Sequence, residues 1–151
     1  MLIFVVKCYI FAAIKLHETV AVQKNPIKEA ERYMANAKQI LTEKAGKEGS
    51  YYSDPKYVKL AGHAAWSGVL VALDAVTDVR KNAKKGARVD IKDYQNAIAK
   101  KDKKMTIPLQ VAYNTLHLSL GYDGNLSFGV VQDGLKQGKM MIDWASKHYE
   151  A

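Results

Sequence analysis

The sequence has little cysteine, little proline and no long uninterrupted apolar segment. Cys8 is the only cysteine among 151 residues, which excludes an intramolecular disulfide and zinc sites built on cysteine pairs. The most apolar stretch, MLIFVVKCYIFAAIKL at residues 1–16, is interrupted by Lys7 and lacks the basic start of a secretory signal. It is also shorter than the about 20 apolar residues of a membrane-spanning helix. We therefore expect a cytoplasmic protein without a membrane span.

The first 24 residues do not fit the pattern of the rest of the chain. We interpret them as an atypical N-terminal extension, followed by one domain at residues 25–151. A working signal or anchor, an additional helix or strand packed on the domain, and an upstream extension from a wrongly assigned start codon are the alternatives.

Acidic side chains are scarce, since 15 Asp and Glu stand against 23 Lys and Arg, for a formal net charge of +8. Most of the excess lies between residues 80 and 104, which hold ten basic and three acidic side chains. Such a patch attracts nucleic acid or a phosphorylated ligand, although many charge runs are only solvated connectors. The candidate anion-binding residues are Arg80, Lys81, Lys84, Lys85, Arg88, Lys100, Lys101, Lys103 and Lys104.

Apolar residues recur at three- and four-residue steps in most of the chain after residue 25, which predicts helices. Asn25-Pro26 and Asp54-Pro55 are typical helix starts, because Asn or Asp caps the helix and proline needs no partner there. The segment at about 55–79 is apolar nearly all round, which is typical of a central helix. Further helices are predicted after Asp90, over 106–120 and over 127–149, and no strands. The fold class is all-α, an antiparallel bundle of four to five helices.

A polar stripe runs along this central helix, in the sequence AGHAAWSGVLVALDAV and just beyond it. At about 100° per residue, four side chains lie within an arc of about 60° around the helix: His63, Ser67, Asp74 and Asp78. Facing positions on the helix at 106–120 and in the turn GYDGN supply further polar groups. The candidate polar site consists of His63, Ser67, Asp74, Asp78, Tyr113, His117, Tyr122 and Asp123.

Three interpretations of this stripe compete. In the first it is structural: Asp74 pairs with Lys, Arg, Tyr or a backbone amide of a neighbouring helix, and His63 hydrogen-bonds to Tyr113 or to the 121–125 loop. In the second, His63, Asp74 and His117 form a metal or acid–base site, although the Glu-x-x-His repeat of di-iron bundles is absent. In the third, the histidines contact a ligand in a cleft with the basic segment at its mouth.

Other catalytic signatures are missing from the sequence. The glycines of GYDGN are not followed by a phosphate-binding GK[ST], and neither HExxH nor a GxSxG elbow occurs. We therefore expect no resident cofactor and no metal, and binding in place of catalysis.

Several motifs resemble one particular family. The runs NPIKEAERYMANAKQIL, YVKLAGHAAWSGVLVALDAV, DIKDYQNAIAK and LHLSLGYDGN, followed by MMIDWA, are similar to a small, uncharacterised all-helical family of Bacteroides- and Porphyromonas-type bacteria, over about residues 25–147. The resemblance implies the fold and no activity. The layout also resembles HEPN bundles, which are often RNA-directed nucleases or nucleotide-binding partners. Their Arg-then-His nuclease signature is absent, so the resemblance implies binding without cleavage.

The function expected from the sequence is a non-catalytic, helical binding or interaction module that forms a homodimer. The alternative is a HEPN-like protein that binds RNA or a nucleotide through the basic segment at 80–104. Gly134 and Gly138, four residues apart, predict a close approach of a neighbouring helix.

Overall fold

The structure, a computed structural model, describes residues 25–150. The predictions about residues 1–24 lie outside the described residues. The elements in chain order are α1 (Pro26–Glu43), β1 (Lys47–Glu48), β2 (Tyr51–Tyr52), α2 (Pro55–Val76), α3 (Val79–Asn82), α4 (Ile91–Lys101), a 3₁₀ turn (Lys103–Met105), α5 (Thr106–Ala112), a π-helix (Tyr113–Tyr122) and α6 (Phe128–His148). The predicted all-α helical bundle is confirmed.

The helices begin where the capping residues predict. The Asn25 side chain accepts a hydrogen bond from the Ile27 amide at 2.9 Å, and Asp54 does the same for Lys56 at 2.9 Å. At α4 the Asp90 carboxylate accepts from the Lys92 amide, while Asp93 accepts from the Asp90 amide, each at 2.9 Å. These contacts satisfy amides that have no partner within their own helix.

Two differences from the predicted elements lie at residues 47–52 and at the end of the central helix. Residues 47–52 form a short antiparallel hairpin in which Lys47 pairs with Tyr52, although no strand was expected. Two-residue strands are too short to show an alternating pattern, so the sequence carries no signal for them. The predicted central helix also ends at Val76 instead of Val79, because Thr77 is extended and its hydroxyl donates to the Leu73 carbonyl at 2.8 Å.

α2 is the centre of the bundle and contacts α1, the π-helix and α6. Gly68 of α2 faces Ala30, whereas Ser53, just before α2, contacts the end of α1 at Ala45, so the two helices run antiparallel. Gly62 meets Gly121, and the Trp66 ring meets Tyr113, so the π-helix is antiparallel to α2 as well. α1 and the π-helix pack along α2, and the end of α2 that carries Asp74 lies beside α3 and α4.

The π-helix continues α5 without a break and determines which side chains face α2. A π-helix hydrogen-bonds from residue i to i+5 and has a wider turn than an α-helix, and such segments are frequent at functional sites. Here Leu116 is fully buried against α6, while the Tyr113 and His117 rings lie 5.3 Å apart, centroid to centroid. The π-helix thereby presents two rings on one side and core leucines on another.

Gly134 and Gly138 both lie in buried positions of α6. A Cβ on Gly134 would lie 2.8 Å from Thr115 Oγ1, and one on Gly138 would lie 2.8 Å from Leu116 Cδ1. The predicted close approach of a neighbouring helix is therefore found, and the neighbour is the π-helix of the same chain. Among the helices of residues 25–150, none is both long and apolar enough to cross a bilayer.

Candidate functional site

A cavity of about 210 Å³ lies between α2, α3, α4, the π-helix and the connector that precedes α4. We call it the aromatic cavity. Its lining residues come from all five segments, and they are Trp66, Leu70, Arg80, Arg88, Val89, Asp90, Ile91, Tyr94, Tyr113 and His117.

Three aromatic rings form one wall of the aromatic cavity. The Trp66 centroid lies 5.5 Å from that of Tyr113 and 5.9 Å from that of His117. Trp66 is contributed by α2 and the other two rings by the π-helix, so the wall exists only where these helices pack together. The rings are not coplanar: the planes of Trp66 and Tyr113 are 66° apart, edge to face, and His117 is tilted by 33° and 34° from them. A planar ligand in the cavity would therefore stack on one ring face and meet the edge of another.

His117 has a buried nitrogen without a partner. Among the residues that the structure describes, no group hydrogen-bonds to its Nδ1. Burial, then the neighbouring His63, then Arg88 lower the pKa of His117 below its ordinary value. The imidazole is therefore neutral at pH 7, with one nitrogen that donates and one that accepts. Because Nδ1 is itself buried, the His117 ring lines the cavity through its other atoms.

Asp74 organises the opposite end of the aromatic cavity. Its Oδ1 accepts a 2.6 Å hydrogen bond from the Tyr94 hydroxyl, and its Oδ2 lies 2.9 Å from Arg80 Nε. Burial, followed by the hydrogen bond to Asp74, raises the pKa of Tyr94 to about 12. The Tyr94 hydroxyl therefore stays protonated and serves as a donor. Asp74 makes the kind of contact that the structural interpretation of the polar stripe predicts.

Arg88 is the cation of the cavity that is not committed to a carboxylate. Within residues 25–150 it forms no ion pair, whereas Arg80 is held by Asp74. Asp90 also lines the cavity, but its carboxylate accepts the Lys92 amide and caps α4. The Arg88 side chain and the His117 ring thus line the same space.

The two histidines of the candidate polar site come together. The His63 and His117 rings are 6.5 Å apart between centroids, in an edge-to-face arrangement. A Cβ on Gly121 would lie 3.1 Å from the His63 ring, so His63 packs against the backbone of the π-helix. Within residues 25–150, no group of three His, Cys, Asp or Glu side chains could hold a metal ion.

The other candidate residues of the stripe lie apart from the aromatic cavity. The Ser67 hydroxyl donates to the His63 carbonyl at 2.8 Å within α2. Asp78 lies beyond the end of α2, exposed and 3.4 Å from Lys81, because the helix stops at Val76. Tyr122 and Asp123 are both exposed at the end of the π-helix. The stripe expected on one continuous helix is therefore divided.

The candidate anion-binding residues are exposed throughout. Arg88, Lys100 and Lys101 line a groove of about 590 Å³ between α3, the connector and α4, which we call the basic groove. Asp78 and Asp93 also line it. Arg80 belongs to the aromatic cavity instead, while Lys81, Lys84, Lys85, Lys103 and Lys104 flank these sites without lining either. Arg88 lines both.

Sequence reasoning missed Trp66 and Tyr94 as site residues. Trp66 lies in the apolar segment predicted as the central helix and Tyr94 in the helix predicted after Asp90, and neither was a candidate site residue. A signal exists for the first, because Trp66 is three residues after His63 and so lies near it on the helix. For Tyr94 only the packing of α4 on α2 reveals the partner.

The fold and the motifs identify a family. The family described as "Domain of unknown function (DUF5618)" matches residues 25–147. The chain belongs to this family. It is also similar to a solved structure of a protein of unknown function from Dyadobacter fermentans, at 41% identity and a TM-score of 0.74, which covers 82% of this chain and 96% of that one. Among curated proteins, no sequence matches this chain significantly.

Membership in DUF5618 confirms the resemblance to an uncharacterised helical family. Neither the family nor the Dyadobacter protein has a described function. In this DUF5618 domain, the aromatic cavity and the basic groove are the two places where a ligand could bind.

Replacing Asp74 by alanine is expected to lower the free energy of unfolding of the DUF5618 domain by about 1–3 kcal/mol. The substitution leaves the Tyr94 hydroxyl, in a side chain that is only 2% exposed, without its acceptor. Urea denaturation measures the change. The control is Asp143→Ala, which removes an exposed pair with Lys139 and is expected to cost under about 0.5 kcal/mol. Equal costs for the two variants would contradict the structural importance of Asp74.

Proposed function

We propose that this protein is a non-catalytic binding module for single-stranded RNA. The observation that carries the proposal is that Arg88 lines both the basic groove and the aromatic cavity. Proteins that bind single strands combine a positively charged groove for the backbone with aromatic side chains for the bases. In this chain the two features are contributed by adjoining segments and share one uncommitted arginine.

The charge distribution supports a polyanionic ligand. Residues 80–104 hold ten of the 23 basic side chains of the sequence, and the basic ones among them are exposed from Arg80 to Lys104. Of these only Arg80 and Lys81 form ion pairs within residues 25–150. Unpaired surface cations concentrated on one segment release counterions when phosphates bind, which makes the affinity dependent on salt.

The proposal predicts a steep salt dependence of RNA binding. Fluorescence anisotropy of a labelled, 5′-phosphorylated single-stranded RNA should show binding at low salt that weakens as salt is added. Because each phosphate contact on a single strand contributes a slope of about −0.7, replacing four contacting lysines by glutamine should flatten the slope by up to about 3. The lysines to replace are Lys84, Lys85, Lys103 and Lys104.

A charge-matched control separates this patch from net charge. The control variant carries glutamine at four exposed lysines of α1 and α6, which are Lys28, Lys38, Lys136 and Lys147. It should keep the slope of the unmodified protein. If both variants flattened the salt dependence equally, the effect would come from overall charge and not from this patch. An absence of RNA binding at low salt would reject the proposal.

The homodimer and the cytoplasmic location also stay predictions. Gly134 and Gly138, which had indicated a helix contact, face Thr115 and Leu116 of the same chain and so give no support to a second copy. The cytoplasmic location is supported by the single cysteine of the sequence. The HEPN-like layout likewise stays a prediction. Sedimentation of the full chain tests the dimer.

A further inference from the structure

The aromatic cavity is more specific than RNA binding requires. A backbone-tracking groove needs exposed cations and stacking surfaces, but this cavity also has walls from several segments around about 210 Å³. Two of its polar side chains, Tyr94 and Arg80, are both engaged by Asp74. The groups that remain for a ligand are therefore the three-ring wall and Arg88.

The volume limits the ligand that fits. At about 210 Å³ the cavity is smaller than the about 300 Å³ from which sites for drug-sized molecules start, and larger than the about 150 Å³ that holds a benzene ring. One six-membered ring with its substituents matches this space, whereas a complete nucleotide does not. The remainder of a larger ligand has to lie outside.

The polar groups indicate how such a ring would be oriented. Because Trp66 and Tyr113 meet edge to face, a ring stacked on the face of one would contact the edge of the other, with the His117 ring beside it. Arg88, at the border between the cavity and the basic groove, lies where an anionic substituent would leave the cavity. Guanidinium groups bind phosphate through paired hydrogen bonds.

We propose that the aromatic cavity is a subsite for one pyrimidine nucleotide, with the base among the Trp66, Tyr113 and His117 rings and its 5′-phosphate at Arg88. The inference rests on the proposed RNA-binding function and names the part of the ligand that the cavity takes. The nucleotide can be a unit of a strand or a free monophosphate, because both present the same ring and phosphate. Purines, with two fused rings, bind less well.

Tryptophan fluorescence tests this subsite directly. The sequence has two tryptophans, and Trp144 lies on α6 against His148, away from the residues that line the cavity. In a Trp144→Phe background, fluorescence therefore reports on Trp66 alone. Titration with uridine 5′-monophosphate should change this signal with saturation. Adenosine 5′-monophosphate, uridine and inorganic phosphate should each bind about tenfold more weakly or not at all. The adenine base is too large for the cavity, uridine lacks the phosphate, and inorganic phosphate lacks the ring.

Matched variants assign the anion contact. Arg88→Gln should weaken uridine 5′-monophosphate binding about tenfold, since a charge-assisted contact is lost. Lys85→Gln removes the same charge from the same connector but outside the cavity lining, and it should leave the binding unchanged. Arg88 is exposed, so its substitution leaves the fold intact. Equal effects of the two variants, or equal responses to phosphate and to the nucleotide, would overturn the subsite.

The outcomes separate the subsite from the proposed function. If RNA binds by anisotropy while Trp66 responds to neither RNA nor uridine 5′-monophosphate, the subsite is wrong and RNA binding stands. If the monophosphate changes Trp66 fluorescence and RNA does not bind at low salt, RNA binding is wrong and the cavity is a site for the free nucleotide. A Trp66 response to both the strand and the monophosphate supports both proposals, and no response with no RNA binding rejects both.

Discussion

Replacing Gly62 by alanine is expected to lower the free energy of unfolding by about 3 kcal/mol. A Cβ at this position would lie 2.7 Å from the Gly121 amide nitrogen, 2.7 Å from the Leu116 carbonyl oxygen and 2.7 Å from Leu120 Cβ. Two of these atoms belong to the backbone, so a change of side-chain rotamer cannot relieve the contact. α2 and the π-helix would have to separate. Urea denaturation followed by circular dichroism measures the loss.

The control for Gly62 is a helical glycine with space around it. At Gly129, an exposed position in the first turn of α6, the nearest atom to an added Cβ is Ser127 Oγ at 3.9 Å. Gly129→Ala should stabilise the protein by about 0.5–1 kcal/mol, because alanine loses less backbone entropy in a helix. If Gly62→Ala also left the stability unchanged or raised it, the close approach of α2 and the π-helix would be refuted.

Replacing Leu116 by alanine is expected to cost about 3–4 kcal/mol. Leu116 is fully buried in the π-helix, and its methyl groups lie where a Cβ on Gly134 or Gly138 would be placed. The large side chain thus fills the space that the two glycines leave, and its truncation opens a cavity. Leu118→Ala, in the same π-helix but 37% exposed, should cost under about 1 kcal/mol. Comparable losses at both leucines would argue against this packing.

A double substitution tests the pairing of Leu116 with Gly138. Gly138→Ala alone should destabilise, because its Cβ would lie 2.8 Å from Leu116 Cδ1. In the Leu116→Ala background that methyl group is gone, so Gly138→Ala should be tolerated or should recover part of the loss. The coupling is read from a double-mutant cycle in urea denaturation. Strict additivity would show that the two residues do not share the space.

Local signals in the sequence predicted most of the secondary structure. Asn25-Pro26, Asp54-Pro55 and Asp90 cap helices as expected, because capping depends on atoms only a few residues apart. The end of the central helix was wrong by three residues, since the turn at Thr77 depends on how the chain enters α3. The hairpin at 47–52 was missed because its strands are short and one of its hydrogen bonds depends on a distant residue. The Tyr52 amide donates to the Leu126 carbonyl, far along the chain.

The candidate site was predicted in part. His63 and His117 were proposed as facing residues, and their rings do lie 6.5 Å apart. Asp74 was expected to pair with Lys, Arg, Tyr or a backbone amide. The sequence alone could not show that its partners are both Arg80 and Tyr94. Asp78 has the helical spacing of the other stripe residues, and Tyr122 and Asp123 lie in the predicted turn. All three are nevertheless exposed. Helical spacing predicts a shared face only as long as the helix continues.

The sequence by itself determined the charge, the helices and the apolar faces, because these depend on side-chain type and short-range periodicity. It also determined the family, since its motifs extend over residues 25–147. Only the tertiary structure decided that Trp66, Arg88 and His117 line one cavity, because they come from α2, a connector and the π-helix. Such contacts arise from the packing of distant segments, in which Gly62 lets the π-helix approach α2 closely enough to bring the rings together.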